Sequence, residues 1–334
     1  MVLHAEQLDD FATGIAYSEI IDSAWRPHRL PRALGKVYEQ PQRFAVRRDC
    51  PSGVRLRFVT DASSIRMFIR VRESAESCFA GTVRLDGTTD QLFSFRKDQG
   101  DQEITLLKFA DARVRQIDVL LPHLCQIDIH EVDFGGAEKL THPSRRPCRW
   151  LAMGDSITQG FVASSPSLTY VERCAATLDA EVHNLAVGGS ILHPELAINL
   201  PAGEFNLCTI AYGVCDFQES VSPDVLARRA SQFIKALFDG NPRISVVVLT
   251  PLTTQRESQR NTLGLTLADY RHAIRGTMQD HPQAQIVEGP TLMAESPDLF
   301  ADWVHPNDTG SEKMAENLLP HLRRVLNDKP EAKR

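Results

Sequence analysis

Along the first 140 or so residues apolar and polar positions largely alternate with a period of two. Residues 54–58 read Val-Arg-Leu-Arg-Phe and residues 65–70 read Ile-Arg-Met-Phe-Ile-Arg, the pattern of strands with one buried and one wet face. Further strand-like runs fall at 82–85, 91–95, 103–107, 116–121 and 126–134. Asp86-Gly87 lies between the first two of these, and that dipeptide suits the positive backbone angles of a tight hairpin turn. No helical stripe interrupts the runs, so residues 1–140 are expected to form an all-β sandwich of jelly-roll type.

Between Gly135-Gly136 and Pro147 the chain turns rich in glycine, proline and basic residues, the composition of a connection between domains, with a boundary near residue 142. The rhythm then changes. Apolar runs at 149–153, 181–185, 207–211, 244–249 and 285–287 alternate with amphipathic stretches at 169–178, 223–238, 267–279 and 311–326. Alternating strands and helices predict an α/β domain over 143–328, a doubly wound and mostly parallel five-stranded sheet. Such sheets bind ligands at the carboxyl ends of their strands. Ser156, Gly189 and residues 213–216 each follow an expected strand, so they should converge on that rim. The polar stretch 327–334 reads as a frayed tail.

Composition narrows the classes. The chain has 334 residues, 42% of them hydrophobic, enough for two ordinary cores. A net charge of −6 and the lack of a dense lysine or arginine cluster argue against a nucleic-acid partner. Arg145, Arg146 and Arg149 read as a solvated linker. The first residues turn polar before any signal-peptide core develops, and no apolar run approaches the ~18 residues of a membrane span. No membrane partner and a cytoplasmic location are the expectation. Seven cysteines, odd in number and without a C-x-x-C pair, favour reduced thiols. No His, Cys, Asp or Glu grouping has ligand spacing, so neither a metal nor a cofactor is expected.

The candidate chemistry begins at Gly154-Asp155-Ser156-Ile157-Thr158, directly after the apolar run Trp150-Leu151-Ala152-Met153. This reads as a strand that delivers a serine onto a tight turn. Far downstream, Asp302-Trp303-Val304-His305-Pro306 supplies an imidazole and, three residues before it, a carboxylate able to orient that imidazole. Ser156 is the candidate nucleophile, His305 the base and Asp302 the orienting acid. The N–H groups of Ser156 and Gly189 are candidate oxyanion donors, since backbone N–H needs no side chain. Asp155 reads as structural. Asp216 is either a helix-start carboxylate or an acceptor for a substrate hydroxyl, Trp303 either lines an acyl pocket or packs in the core, and His193 either reaches the cleft or sits on an exposed loop.

These blocks resemble those of the SGNH hydrolases, the GDSL-type esterases and lipases, over about residues 149–326. The resemblance implies an SGNH/flavodoxin-like sheet and makes Asn184-Leu185-Ala186-Val187-Gly188-Gly189 the second family block, with Gly189 as its oxyanion glycine. The third block, G-x-N-D, stands here as Gly213-Val214-Cys215-Asp216, so Cys215 takes the place of an oxyanion-donating asparagine. A thiol is a weak donor, so Cys215 is either a passive small residue, a weak S–H donor or a nucleophile in its own right, and loss of one oxyanion donor costs about a hundred- to a thousandfold in turnover. The implied activity is that of a serine esterase cleaving short-chain O-acyl esters, such as acetyl esters, of small molecules or carbohydrates. A β-domain ahead of such a domain is similar to the layout of some carbohydrate esterases and of polyketide-tailoring acyltransferases. Acyl transfer to a hydroxyl is therefore the alternative, and a non-catalytic carbohydrate-binding protein the second alternative. The β-domain itself either binds carbohydrate or shapes the catalytic pocket.

Overall fold

A computed structural model of the protein describes residues 1–97, 100–201 and 204–327. The expected domain end at 328 and the tail beyond it lie outside the described residues. The chain divides into two compact units, one of residues 1–146, 164–168 and 181–184, the other of 147–163, 169–180 and 185–334.

The first unit contains two antiparallel six-stranded sheets. One runs β3 (Tyr17–Ile21), β4 (Ala24–His28), β11 (Cys125–Gly135), β6 (Ser64–Ser74), β9 (Asp101–Lys108), with β1 (Val2–His4) also on β11. The other runs β12 (Leu140–Thr141), β5 (Arg55–Thr60), β10 (Arg115–Leu120), β7 (Ala80–Leu85), β8 (Thr89–Ser94), with β2 (Ala12–Thr13) also on β5. The sandwich-like architecture follows from the two-residue period: in β6, Ile65, Met67 and Ile69 are fully buried and share a core with Trp25, Phe58 and Phe134. Asp86 and Gly87, at φ +49° and +75°, turn β7 into β8.

Three expectations for this unit need correction. Two short helices, α1 (Arg32–Val37) and α2 (Gln42–Asp49), interrupt the strands. Helix α2 buries none of its residues, so no apolar stripe announced it. The wet face expected in β5 is covered: Arg55 and Arg57 are buried, and Arg57 Nε lies 3.4 Å from the buried Asp118 carboxylate. Arg146, read as part of a solvated linker, is buried too and pairs with that same carboxylate. An ionised group leaves water only when a counter-charge replaces its hydration, and the sequence does not reveal this partnership across the fold.

The third sheet, whose strands β13, β15, β16 and β17 belong to the second unit, runs β14 (Ala180–Asn184), β13 (Cys148–Gly154), β15 (Leu207–Ala211), β16 (Ser245–Leu249), β17 (Gln285–Val287). The expected five strands are all present. Parallel pairing aligns Gly154 with Ala211, Ala211 with Leu249 and Leu249 with Val287, so these strands end side by side. Residues 150–153 of β13 are wholly buried, as in a parallel sheet covered on both faces. The main helices are α4 (Tyr170–Leu178), α6 (Pro223–Gly240), α7 (Leu267–Thr277) and α9 (Asp308–Asn327). Thr169 and Ser222 cap α4 and α6 by accepting from Glu172 and Val225 N–H. Three further helices, α3 (Ser156–Gln159), α5 (Val214–Gln218) and α8 (Gly289–Leu292), were not foreseen because one turn is too short to show a period.

Candidate active site

Strand β13 ends at Gly154 and the chain turns at once into α3. Asp155 caps that helix, its Oδ1 accepting the Ile157 N–H at 3.0 Å. Ser156 is the first helical residue, so its N–H has no partner inside the helix. Gly160, at φ +98°, closes the turn, and Phe161 N–H returns to the Ser156 carbonyl at 2.9 Å. The Phe161 ring then lies on the His305 imidazole, centroids 5.7 Å apart and planes 26° from parallel.

Asp302 organises the other half. Its Oδ1 accepts the Val304 and His305 N–H groups, both at 2.7 Å, and its Oδ2 lies 2.8 Å from His305 Nδ1. On the far side of the ring, His305 Nε2 lies 2.8 Å from Ser156 Oγ. An ionised carboxylate can only accept, so the proton sits on Nδ1 and Nε2 is left to accept from the serine hydroxyl. Burial works against the Asp302 charge, but the His305 ring and the two N–H donors outweigh it and hold the carboxyl below its ordinary value. A hydroxyl, an imidazole and a carboxylate linked in this order can deprotonate the hydroxyl as it attacks a carbonyl.

The segment after β14 runs alongside this turn. Val187 N–H bonds to the Gly154 carbonyl at 3.2 Å, and Gly188 N–H to Gln159 Oε1 at 2.7 Å. Gly189 follows at φ +81°, and its N–H donates no hydrogen bond to another described residue. Gln159 thus ties the second block to the helix of the first. Neither Gln159 nor Phe161 was singled out in the sequence; the signal was Gly160, whose left-handed turn brings Phe161 back toward the site.

Gly213, at φ +117°, starts α5. Cys215 is the second residue of α5 and is buried. Burial, reinforced by Asp155 and Asp216, pushes the thiol well above its ordinary value, so it stays protonated. Burial also raises the Asp155 carboxyl to about 6, against the Ile157 N–H, the His305 charge and the Cys215 thiol, which lower it. Asp216 is wholly buried and is raised to about 7, first by burial and then by Asp155, with Leu192 N–H and Arg229 opposing. His193 is half-buried, and burial followed by Arg229 lowers its pKa. Trp303 is 60% exposed, so it is not a core residue, while its backbone carbonyl is held by the Gln255 N–H at 2.9 Å.

Among the described residues no group of three or more His, Cys, Asp or Glu side chains could hold a metal ion. Among them no helix is long and apolar enough to cross a membrane.

Residues 152–313 match the model of the GDSL-like Lipase/Acylhydrolase family. No curated protein matches the sequence. Among solved structures, a salicylyl-acyltransferase, SsfX3, from a tetracycline biosynthetic pathway superposes with a TM-score of 0.82 at 21% identity, covering 97% of both chains. A GDSL-like lipase from Bacteroides ovatus, so described with reservation, has a TM-score of 0.79 at 16% identity over 99% of both chains. A family two carbohydrate esterase from Cellvibrio japonicus has a TM-score of 0.68 at 16% identity over 98% of both. The chain has the SGNH/GDSL-type hydrolase-family fold, with an N-terminal antiparallel, sandwich-like domain ahead of the parallel-sheet domain.

Proposed function

We propose that the protein is an acyltransferase that carries an acyl group on Ser156 from an ester donor to a hydroxyl of a small molecule or sugar. The observation that carries the proposal is the chain of 2.8 Å contacts from Ser156 Oγ through His305 to Asp302. As Oγ attacks the donor carbonyl, His305 Nε2 takes the hydroxyl proton, and the Asp302 carboxylate balances the resulting imidazolium. The charge that develops on the carbonyl oxygen is met by the Ser156 and Gly189 N–H groups. Collapse breaks the donor C–O bond, and the departing alkoxide takes the proton from His305. In the second half His305 removes the acceptor's hydroxyl proton, the acceptor oxygen attacks the acyl carbon, and Oγ leaves with that proton.

Transfer is favoured over hydrolysis by the likeness of both domains to a salicylyl-acyltransferase. Cys215 in the place of the asparagine donor also fits an enzyme whose acyl intermediate reacts slowly with water. Hydrolysis of short-chain acyl esters, including those of carbohydrates, is the second reading, supported by the likeness to a carbohydrate esterase over 98% of both chains. Seven free thiols suit a reducing compartment such as the cytoplasm.

The test uses an aryl acetate with and without a panel of small alcohols and sugars. An initial burst of phenol, a covalent acetyl group on Ser156 and acylated alcohol as the main product are expected. Steady release of acetate that no alcohol diverts would select the esterase reading. Ser156→Ala should give neither adduct nor turnover, and a variant retaining a tenth of the activity would remove Ser156 from the mechanism.

A further inference from the structure

The two N–H groups that meet the developing oxyanion come from separate segments, Ser156 at the start of α3 and Gly189 in the turn after β14. An oxyanion needs both donors aimed at one point, about 2.7–3.1 Å away. The Ser156 N–H is fixed by the helix that it begins. The Gly189 N–H lies in the turn Val187-Gly188-Gly189-Ser190, which the Ser190 N–H closes on the Val187 carbonyl at 3.0 Å. Its φ of +81° is the left-handed angle that a type II turn needs at its third residue. Two successive glycines leave such a turn many alternatives. A side chain from the Ser156 helix reaches it: Gln159, fully buried at the end of α3, accepts the Gly188 N–H on Oε1 at 2.7 Å. A backbone N–H can only donate, so the Gln159 amide must present its oxygen there. Gly188 is buried, so the bond is shielded from water that would compete for it.

We propose that Gln159 is a positioning residue that sets the spacing of the two oxyanion donors, its amide oxygen holding Gly188 so that the following Gly189 N–H points at the carbonyl oxygen of the acyl group. The inference rests on the proposed acyl-enzyme chemistry. The clamped nitrogen and the Gly189 nitrogen are one residue apart, at most ~3.6 Å along the chain, so fixing the first limits where the second can point. The Val187 N–H on the Gly154 carbonyl at 3.2 Å anchors the start of the same turn to the strand that precedes Ser156. Both ties therefore run to the segment that carries the nucleophile. Gln159 bears no charge, so its loss should leave the titration of His305 unaltered.

The experiment compares wild type, Gln159→Leu and Gln159→Glu in turnover of the aryl acetate and in the amide resonances of protein labelled selectively at its glycine nitrogens. Leucine has similar bulk but no acceptor. Gln159→Leu should lower kcat about ten- to a hundredfold, since a donor displaced by ~1 Å loses most of its effect. KM and the pH profile of kcat should stay near wild type, because ground-state binding and His305 are untouched. The Gly188 amide proton should move upfield, and the Gly189 resonance should move with it. Gln159→Glu, which keeps an acceptor oxygen at the same reach, should recover the Gly188 shift and most of kcat. Wild-type kcat in Gln159→Leu, equal impairment of the two variants, or a loss carried by KM would overturn the proposal. Should Gln159→Leu fail to fold, wild type with phenylboronic acid decides. Ser156 Oγ adds to boron, His305 takes its proton, and the tetrahedral boronate presents an oxygen to the donors. The Gly189 resonance should then move while that of Gly188, already bonded, stays in place; equal movement of both overturns the clamp. The glycine shifts also separate the two readings. Movement in Gln159→Leu, with no acetyl adduct on wild-type Ser156, faults the acyl-enzyme chemistry alone, and shifts that do not move fault the role of Gln159 alone.

Discussion

Replacement of Asp216 by asparagine should make the protein more stable at neutral pH and change how stability depends on pH. Asp216 is wholly buried, and neither carboxylate oxygen completes a hydrogen bond among the described residues. Its carboxyl titrates at about 7 in the fold, against 3.8 ordinarily. The folded protein therefore holds a proton that the unfolded chain has released between about pH 4 and pH 7, and stability falls across that window as pH rises. At ~1.36 kcal/mol for each unit, a rise of about three units amounts to up to ~4 kcal/mol, fully present below pH 4 and lost above pH 7. Asparagine cannot ionise, so Asp216→Asn lacks this decline. Urea unfolding of both proteins at half-unit steps from pH 4.5 to 8 measures the effect directly. The variant's advantage should grow steadily toward pH 7 and then level off. A difference that stays constant with pH would refute the argument, since the folded carboxyl would then titrate as it does in the unfolded chain.

Asp302→Asn should lower kcat by roughly a thousandfold or more with little change in KM, because an amide facing Nδ1 favours the wrong imidazole tautomer; steady-state kinetics that match wild type would mean another group orients His305. Gly213→Ala should lower the unfolding free energy by ~1–3 kcal/mol and with it the urea midpoint, because φ is +117° and an added Cβ would lie 2.5 Å from Pro251 Cγ; an unchanged midpoint would refute this. Chelators should leave turnover of the aryl acetate unchanged, as the proposed chemistry uses only protein groups, and an inhibition reversed by added metal would contradict it.

The sequence by itself determined what local rules govern. Two-residue alternation was enough to place strands of the sandwich-like domain, Asp86-Gly87 to mark its tight hairpin, and five apolar runs spaced by amphipathic helices to specify the parallel sheet. The blocks at Ser156, Gly189 and His305 were legible because each is a short turn with its own chemistry at a fixed place in the chain. What needed the tertiary structure was every partnership between distant residues. Arg57 and Arg146 looked like wet positions until Asp118 was seen to bury with them. Phe161 looked like ordinary apolar filling until Gly160 turned it onto His305. Nothing in the sequence around Cys215 shows how far its side chain is buried, and the fold covers it almost completely. Periodicity and turn preference act over a few residues and leave a mark in the sequence. A buried charge or thiol is decided by whichever group the chain brings opposite it, and no local pattern records that choice.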